Sequence, residues 1–406
     1  MVVVHDFNGA VFFIVLSSWR LGHSIKIDHL DNYKEIRPYL DSEVRGALEE
    51  HKDHPMIRAL LYFTFPDKSQ EEIGEILASC NSVSDFQAKV IYQSVKNVLE
   101  KSSEGFFTSG FEKLKPDTSY LFISNHRDIV MDTSLLNVAL LENHLVMTAS
   151  AIGDNLVKKP FLLALSKLVR NFLIQRGLSP REMLESSRNV SGYIRHLLKD
   201  ENRSVWIAQR EGRTKDGNDQ TQQGVLKMLA LASDEEEIMD YFKKLRIAPV
   251  SISYEYDPTD LLKMPELMAR HYDLEYVKTS NEDFNSILKG ALGQKKRICI
   301  KIGDVLDTEL DEIKNRNEPI NRQFQMLADH IDEQIHKNYR LWPTNYLAYD
   351  LLNGTAKYAD KYNEKEKRQF ERRLERRVGE GNHVARQNFL AMYANPVVNR
   401  MKYEED

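Results

Sequence analysis

The stretch Ser124-Asn125-His126-Arg127-Asp128-Ile129-Val130-Met131-Asp132 puts one imidazole beside two carboxylates in the turn between an apolar run and the pattern of a helix. A histidine takes up a proton near neutral pH, and a neighbouring carboxylate can hold its tautomer and stabilise the imidazolium. His126 with Asp132 has that composition, and Asp128 is the alternative carboxylate. The competing structural reading has Asp132 capping the helix and His126 as a satisfied loop residue. A metal on His126, Asp128 and Asp132 lacks a further ligand at helical spacing, so no metal site is expected.

Three further blocks follow along the chain, one at 153–176, one at 209–215 and one from 249. Gln209-Arg210-Glu211-Gly212-Arg213-Thr214-Lys215 comes directly after the apolar run Val205 to Ala208. Arginine can grip a phosphate with two parallel hydrogen bonds, and a glycine lets the backbone approach it closely, so this composition suits an anion. Gly153-Asp154-Asn155 precedes Phe172-Leu173-Ile174-Gln175-Arg176, where Arg176 emerges at the end of a strand pattern. Pro249 to Tyr256 reads as a strand opened by proline, which structure alone explains. Dinucleotide, phosphate-loop, nucleophile-elbow and zinc-helix motifs are all missing from the sequence. Without a nucleophile motif, His126 is better cast as a base acting on the substrate's own hydroxyl.

The elements that must position these blocks alternate. Leu121 to Ile123, Leu145 to Ala149, Phe172 to Ile174, Val205 to Ala208, Ile247 to Ser253 and Ile298 to Ile302 read as strands. Helical patterns at Ser134 to Leu141, Phe161 to Val169 and Ser179 to Leu198 separate several of them, the last opened by Ser179-Pro180-Arg181-Glu182. Strands separated by helices imply an α/β fold with a largely parallel central sheet flanked by helices. Residues 31–115 read as a helical region, with capping signatures at Ser69-x-x-Glu72 and Ser84-x-x-Gln87. Residues 116–310 form the α/β core, and 311–406 a C-terminal helical region with helices over Gln323 to His336 and Lys357 to Arg377.

Composition bounds the function. At 406 residues, 42% hydrophobic and 29% charged, the chain is a globular protein rather than a disordered one. A net charge of −5 gives no global reason to expect nucleic acid. Cys80 and Cys299 form no CxxC pair or disulfide framework, which points to a reducing compartment and a cytoplasmic location. No stretch reaches the length of a spanning helix. Residues 1–30 are an extension whose run Ala10 to Leu16 fits a buried strand, a shallow membrane contact or an over-extended start; Asp6 and the lack of an early basic residue argue against a cleaved signal.

Taken in order, the four blocks resemble the phospholipid/glycerol acyltransferase family, over about residues 120 to 256. Its Asn-His followed by Asp matches Asn125-His126 to Asp132, with five intervening residues where the family has four. Its Glu-Gly-Arg block is similar to Glu211-Gly212-Arg213-Thr214, although the order around Gly212 departs from the usual one. The resemblance implies an enzyme that moves a fatty acyl group from CoA or acyl carrier protein to a hydroxyl of glycerol-3-phosphate or lysophosphatidate. His126 would be the general base and Asp132 its orienting partner. Arg213 and Arg176, with Lys215 and Gly212, would hold the phosphate, and Glu211 would order the acceptor site.

No cofactor beyond the acyl co-substrate is implied. A long acyl chain comes from an apolar phase, so the resemblance also implies docking on a membrane surface at its inner face, through Ala10 to Leu16, the Phe161 to Val169 helix with Lys158-Lys159, or the basic C-terminal helix. The altered His-to-Asp spacing leaves an alternative open: an inactive lipid-binding or scaffold protein of the same fold.

Overall fold

Seven strands form one sheet, and their order decides where the four blocks meet. The computed structural model describes residues 30–404 apart from positions 280 and 380, together with the backbone of an antiparallel ribbon, β1 (Val2–His5) and β2 (Val11–Ile14). Apart from that ribbon, the expectations for residues 1–30, the Ala10 to Leu16 contact among them, lie outside the described residues.

The sheet contains β3 (Ser103–Ser109), β4 (Leu121–Ser124), β5 (Thr148–Gly153), β6 (Asn171–Ile174), β7 (Ser204–Ala208), β8 (Ile247–Tyr254) and β9 (Lys296–Ile302). Their order is β3-β9-β8-β4-β7-β5-β6, and every pairing is parallel except β8 with β9. The fold is thus α/β with a mostly parallel sheet, helical at both ends of the chain. β4 lies at its centre, between β8 and β7.

Alternation along the central strands sorts the core into two layers. Leu121, Ile123, Val205 and Ile207 face the helices Pro180–Lys199, Ile238–Leu245 and Ile320–Asn338. Phe122, Trp206 and Ile252 face the helices Tyr92–Ser102 and Met131–Glu142. Two satellite clusters complete the interior. An N-terminal one is built on Val44, Phe86 and Val90, and a C-terminal one on Phe370, Phe389 and Tyr393.

Several elements differ from the sequence reading. β5 starts at Thr148, three residues later than expected, because Leu145 closes the preceding helix through its N–H to the Leu140 carbonyl (2.9 Å). β3 falls in a region read as purely helical: it is a polar edge strand with no apolar alternation to announce it. The helix cap expected at Ser84 belongs to Ser82, whose Oγ accepts the Asp85 N–H (2.9 Å), while Ser84 Oγ accepts from Arg170. The caps at Ser69 and Ser179 form, with Glu72 and Glu182 each accepting the cap residue's N–H (2.8 and 2.9 Å).

Pro249 sits inside β8, not at its start. Its carbonyl accepts from Gly303 on the β9 side, so the missing N–H faces that side as well, just before the β9 ladder begins at Val250.

Candidate active site

Asn125 is the first residue past β4, and its side chain behaves as a strand residue would. Nδ2 donates to the Ile252 carbonyl (2.9 Å) and Oδ1 accepts the Ile252 N–H (2.8 Å), which fastens the turn to β8. On the other side Trp206 Nε1 donates to Ser124 Oγ (2.9 Å), and the indole meets the His126 ring edge-on at 5.3 Å. The histidine therefore leaves the centre of the sheet from a strand end locked on both flanks.

Asp132 is the second residue of the helix Met131–Glu142, and its fully buried carboxylate reaches back over the turn. Oδ2 lies 2.8 Å from His126 Nδ1 and accepts the N–H groups of Arg127 (2.7 Å) and Asp128 (3.0 Å). Oδ1 accepts the Tyr254 hydroxyl (2.8 Å). Burial, and then the charge of Asp132, push the Tyr254 phenol well above its ordinary value, so it remains a donor. A carboxylate with four donors is an acceptor held in one orientation, and it requires the imidazole proton on Nδ1. Nε2 then carries the free lone pair, and it has no hydrogen-bond partner among the described residues.

Asp128 is placed differently. Its Oδ1 accepts the Val130 and Met131 N–H groups (3.0 and 2.8 Å), capping the helix that carries Asp132. Its Oδ2 is buried without a hydrogen-bond partner among the described residues. Burial, and then the charge of Asp132, push its carboxyl up. The structure thus pairs His126 with Asp132 and gives Asp128 the capping role that the competing reading had offered to Asp132.

The loop after β7 lies against this turn. The Thr214 N–H donates to the His126 carbonyl (2.9 Å), and Thr214 Oγ1 donates to Asp219 Oδ1 (2.8 Å). Asp219 Oδ2 pairs with Arg127 Nη2 (2.6 Å) in a contact where both side chains are buried. Gly212 has a φ of +69°, in the left-handed region that favours glycine, and this turns the chain between Glu211 and Arg213.

Of the cations expected to bind phosphate, Arg213 is half-buried, and its one hydrogen bond among the described residues is a long one from Nη1 to Thr259 Oγ1 (3.5 Å). Arg176 crosses from β6 to pair with Glu211 (2.5 Å), and its N–H donates to Asp154 Oδ1 (3.2 Å), which joins the third block to the second. Lys215 is committed to Glu266 (2.6 Å), and burial lowers its ammonium from the ordinary range. Of these three cations, Arg213 is the one with no carboxylate partner among the described residues.

Sequence reasoning missed the roles of Tyr254 and Asp219. Tyr254 sits in a strand that structure alone seemed to explain, and its alternation with Ile252 is the signal that would have aimed it at the same layer. Asp219 carries no signal, since only the folded loop brings it to Arg127. Beside the Asp132 helix runs a small surface cleft of about 30 Å³, walled by Ile91, Val138, Leu141 and Met147 with Thr133 and Asn137. No helix among the described residues is long and apolar enough to cross a membrane, and none of their His, Cys, Asp and Glu side chains cluster as a metal site.

Residues 106–253, which run from β3 through nearly all of β8, match the family model described as Acyltransferase. Among solved structures the chain is similar to the crystal structure of the 1-acyl-sn-glycerophosphate (LPA) acyltransferase, PlsC, from Thermotoga maritima. The identity is 13% and the TM-score 0.34, over 73% of this chain and 91% of that one. No curated protein matches. The matched segment holds His126, Asp132, Arg176 and Arg213 together.

Proposed function

We propose that the protein is a glycerolipid O-acyltransferase that esterifies a hydroxyl of glycerol-3-phosphate or lysophosphatidate, with acyl-CoA or acyl carrier protein as donor. The observation that carries this reading is the His126–Asp132 pair, with Nδ1 bonded at 2.8 Å and Nε2 free at the end of the central strand. His126 Nε2 takes the acceptor's hydroxyl proton as that oxygen attacks the thioester carbonyl. The ester C–O bond forms, the C–S bond breaks, and the proton passes from the imidazolium to the departing thiolate. Asp132 remains ionised and offsets the transient imidazolium charge, so no acyl-enzyme is needed.

Arg213 is the cation we assign to the acceptor phosphate, because it adjoins Thr214, which bonds the His126 backbone, and has no carboxylate partner among the described residues. Arg176 with Glu211 supports that seat from β6. Fixing the phosphate fixes the hydroxyl near the base, a positioning effect that can contribute several kcal/mol to the barrier.

The extra residue between His126 and Asp132 had suggested an inactive scaffold. It does not separate the two groups, so that alternative loses the observation it stood on. Membrane docking follows from the substrates in this proposal; on the helix Glu364–Val378 two of the basic residues, Arg373 and Arg377, turn inward to Asp260.

The test is transfer of a labelled acyl group from acyl-CoA or acyl carrier protein across a panel of glycerol phosphates and lysophospholipids. Ester formation on a phosphorylated glycerol supports the reading, and no transfer to any member contradicts it.

A further inference from the structure

The turn that carries His126 is built from two successive peptide groups, and each is held at both ends. In a planar trans peptide the C=O of one residue and the N–H of the next point in opposite directions. For the His126–Arg127 peptide, the carbonyl accepts from Thr214 N (2.9 Å) and the N–H donates to Asp132 Oδ2 (2.7 Å). For the Arg127–Asp128 peptide, the N–H donates to the same Oδ2 (3.0 Å) and the carbonyl accepts from Lys263 Nζ (3.0 Å).

Lys263 lies outside the segment that matches the family model, on the helix Asp260–His271. Its side chain is 1% exposed and pairs with the Asp257 carboxylate, so its place is fixed from below. Asp257 is fixed in turn: its Oδ1 accepts the Thr259 N–H and hydroxyl (2.8 Å each), and its carbonyl accepts from Arg373 (2.9 Å). Arg373 belongs to the C-terminal helix Glu364–Val378 and is anchored on Asp260, which also accepts the Tyr393 hydroxyl (2.9 Å). A continuous chain of contacts, buried at Asp260, Asp257 and Lys263, thus runs from the C-terminal helices to the peptide beside the histidine.

We infer that Lys263 is a positioning residue for the His126–Asp132 pair: its ammonium holds the Arg127 carbonyl so that the Asp128 N–H stays on Asp132, and the C-terminal helices hold that ammonium. The consequence for turnover rests on the acyltransferase reading; the consequence for the turn does not. Removing the ammonium leaves a buried carbonyl without its donor and lets one peptide rotate, which frees Oδ2 of a donor and loosens the carboxylate facing Nδ1.

Two full-length variants test this. Lys263→Met removes the ammonium, and Asp257→Asn with Lys263→Met does so without leaving an unpaired buried carboxylate. Hydrogen exchange is expected to speed up across residues 125–132 in both, with His383–Met401 unchanged. In the acyl-transfer assay kcat is expected to fall by about tenfold or more while the acceptor KM stays within about twofold, as displaced catalytic groups predict.

Unchanged exchange at 125–132 in the folded double variant would overturn the inference. So would a rise spread evenly over the chain, which would mark Lys263 as merely structural, or a wild-type kcat. If the wild-type protein transfers no acyl group, the enzymatic reading fails, and the exchange measurement alone decides whether Lys263 holds the turn.

Discussion

The Tyr254 hydroxyl meets Asp132 Oδ1 at 2.8 Å, on the oxygen opposite the one that receives His126. The tyrosine comes from the last position of β8 and the aspartate from the helix after β4, so two neighbouring strands jointly set the angle at which the carboxylate faces the imidazole. Tyr254→Phe keeps the ring and removes the donor. Leaving a buried carboxylate oxygen unsatisfied costs about 1–3 kcal/mol. The thermal midpoint should drop accordingly, and kcat should fall by about tenfold with acceptor KM little changed. A variant with wild-type kcat would show that the second oxygen's hydrogen bond is irrelevant to turnover.

Arg213→Ala should raise the KM for a phosphorylated acceptor by about tenfold or more, the scale of one charge-assisted hydrogen bond. Affinity for an unphosphorylated acceptor should not respond. Unchanged KM with glycerol phosphates would remove Arg213 from the anion seat and point to an acceptor without phosphate.

Gly290 lies in the helix Glu282–Leu292, where an added Cβ would come within 2.0 Å of Asp128 Oδ2. Gly290→Ala must displace either that helix or the carboxylate that caps the Asp132 helix. Such overpacking typically costs about 1–3 kcal/mol, against the few tenths to 1 kcal/mol that alanine would gain in an exposed helix. Denaturant melts should show a net loss; a stabilised variant would mean the two elements are not in contact.

Asp332 accepts the N–H and the hydroxyl of Thr221 (2.8 and 2.6 Å), yet burial pushes its carboxyl up to about 7. In the unfolded chain the value is about 4, so between these limits the folded state binds more protons, and stability falls as pH rises. Asp332→Asn removes that term. The unfolding free energy of the wild type minus that of the variant should therefore decline from about pH 4 to about pH 7. A difference that grows over this range would reverse the assigned direction.

Three of the four blocks could be read from sequence because they sit where strands end, and short apolar runs mark such strands plainly. β4 and β7 are of that kind, and their ends deliver His126 and the Glu211 to Lys215 loop. What periodicity could not supply is direction. Asp128 and Asp132 are both short acids near a helix start, and only the folded turn shows one capping and the other pairing. Lys215 and Arg213 likewise look equivalent until Glu266, fifty-one positions away, claims the lysine. β3 was missed for a different reason: an edge strand with one wet face carries no apolar alternation.

The measurement that bears most directly on the central claim is acyl transfer by His126→Ala, compared with wild type on a labelled thioester and a glycerol phosphate. Removing a general base of this kind predicts a loss of about 10²- to 10⁴-fold in kcat with the fold and acceptor affinity retained. A folded His126→Ala protein that transfers acyl groups at the wild-type rate would contradict the account.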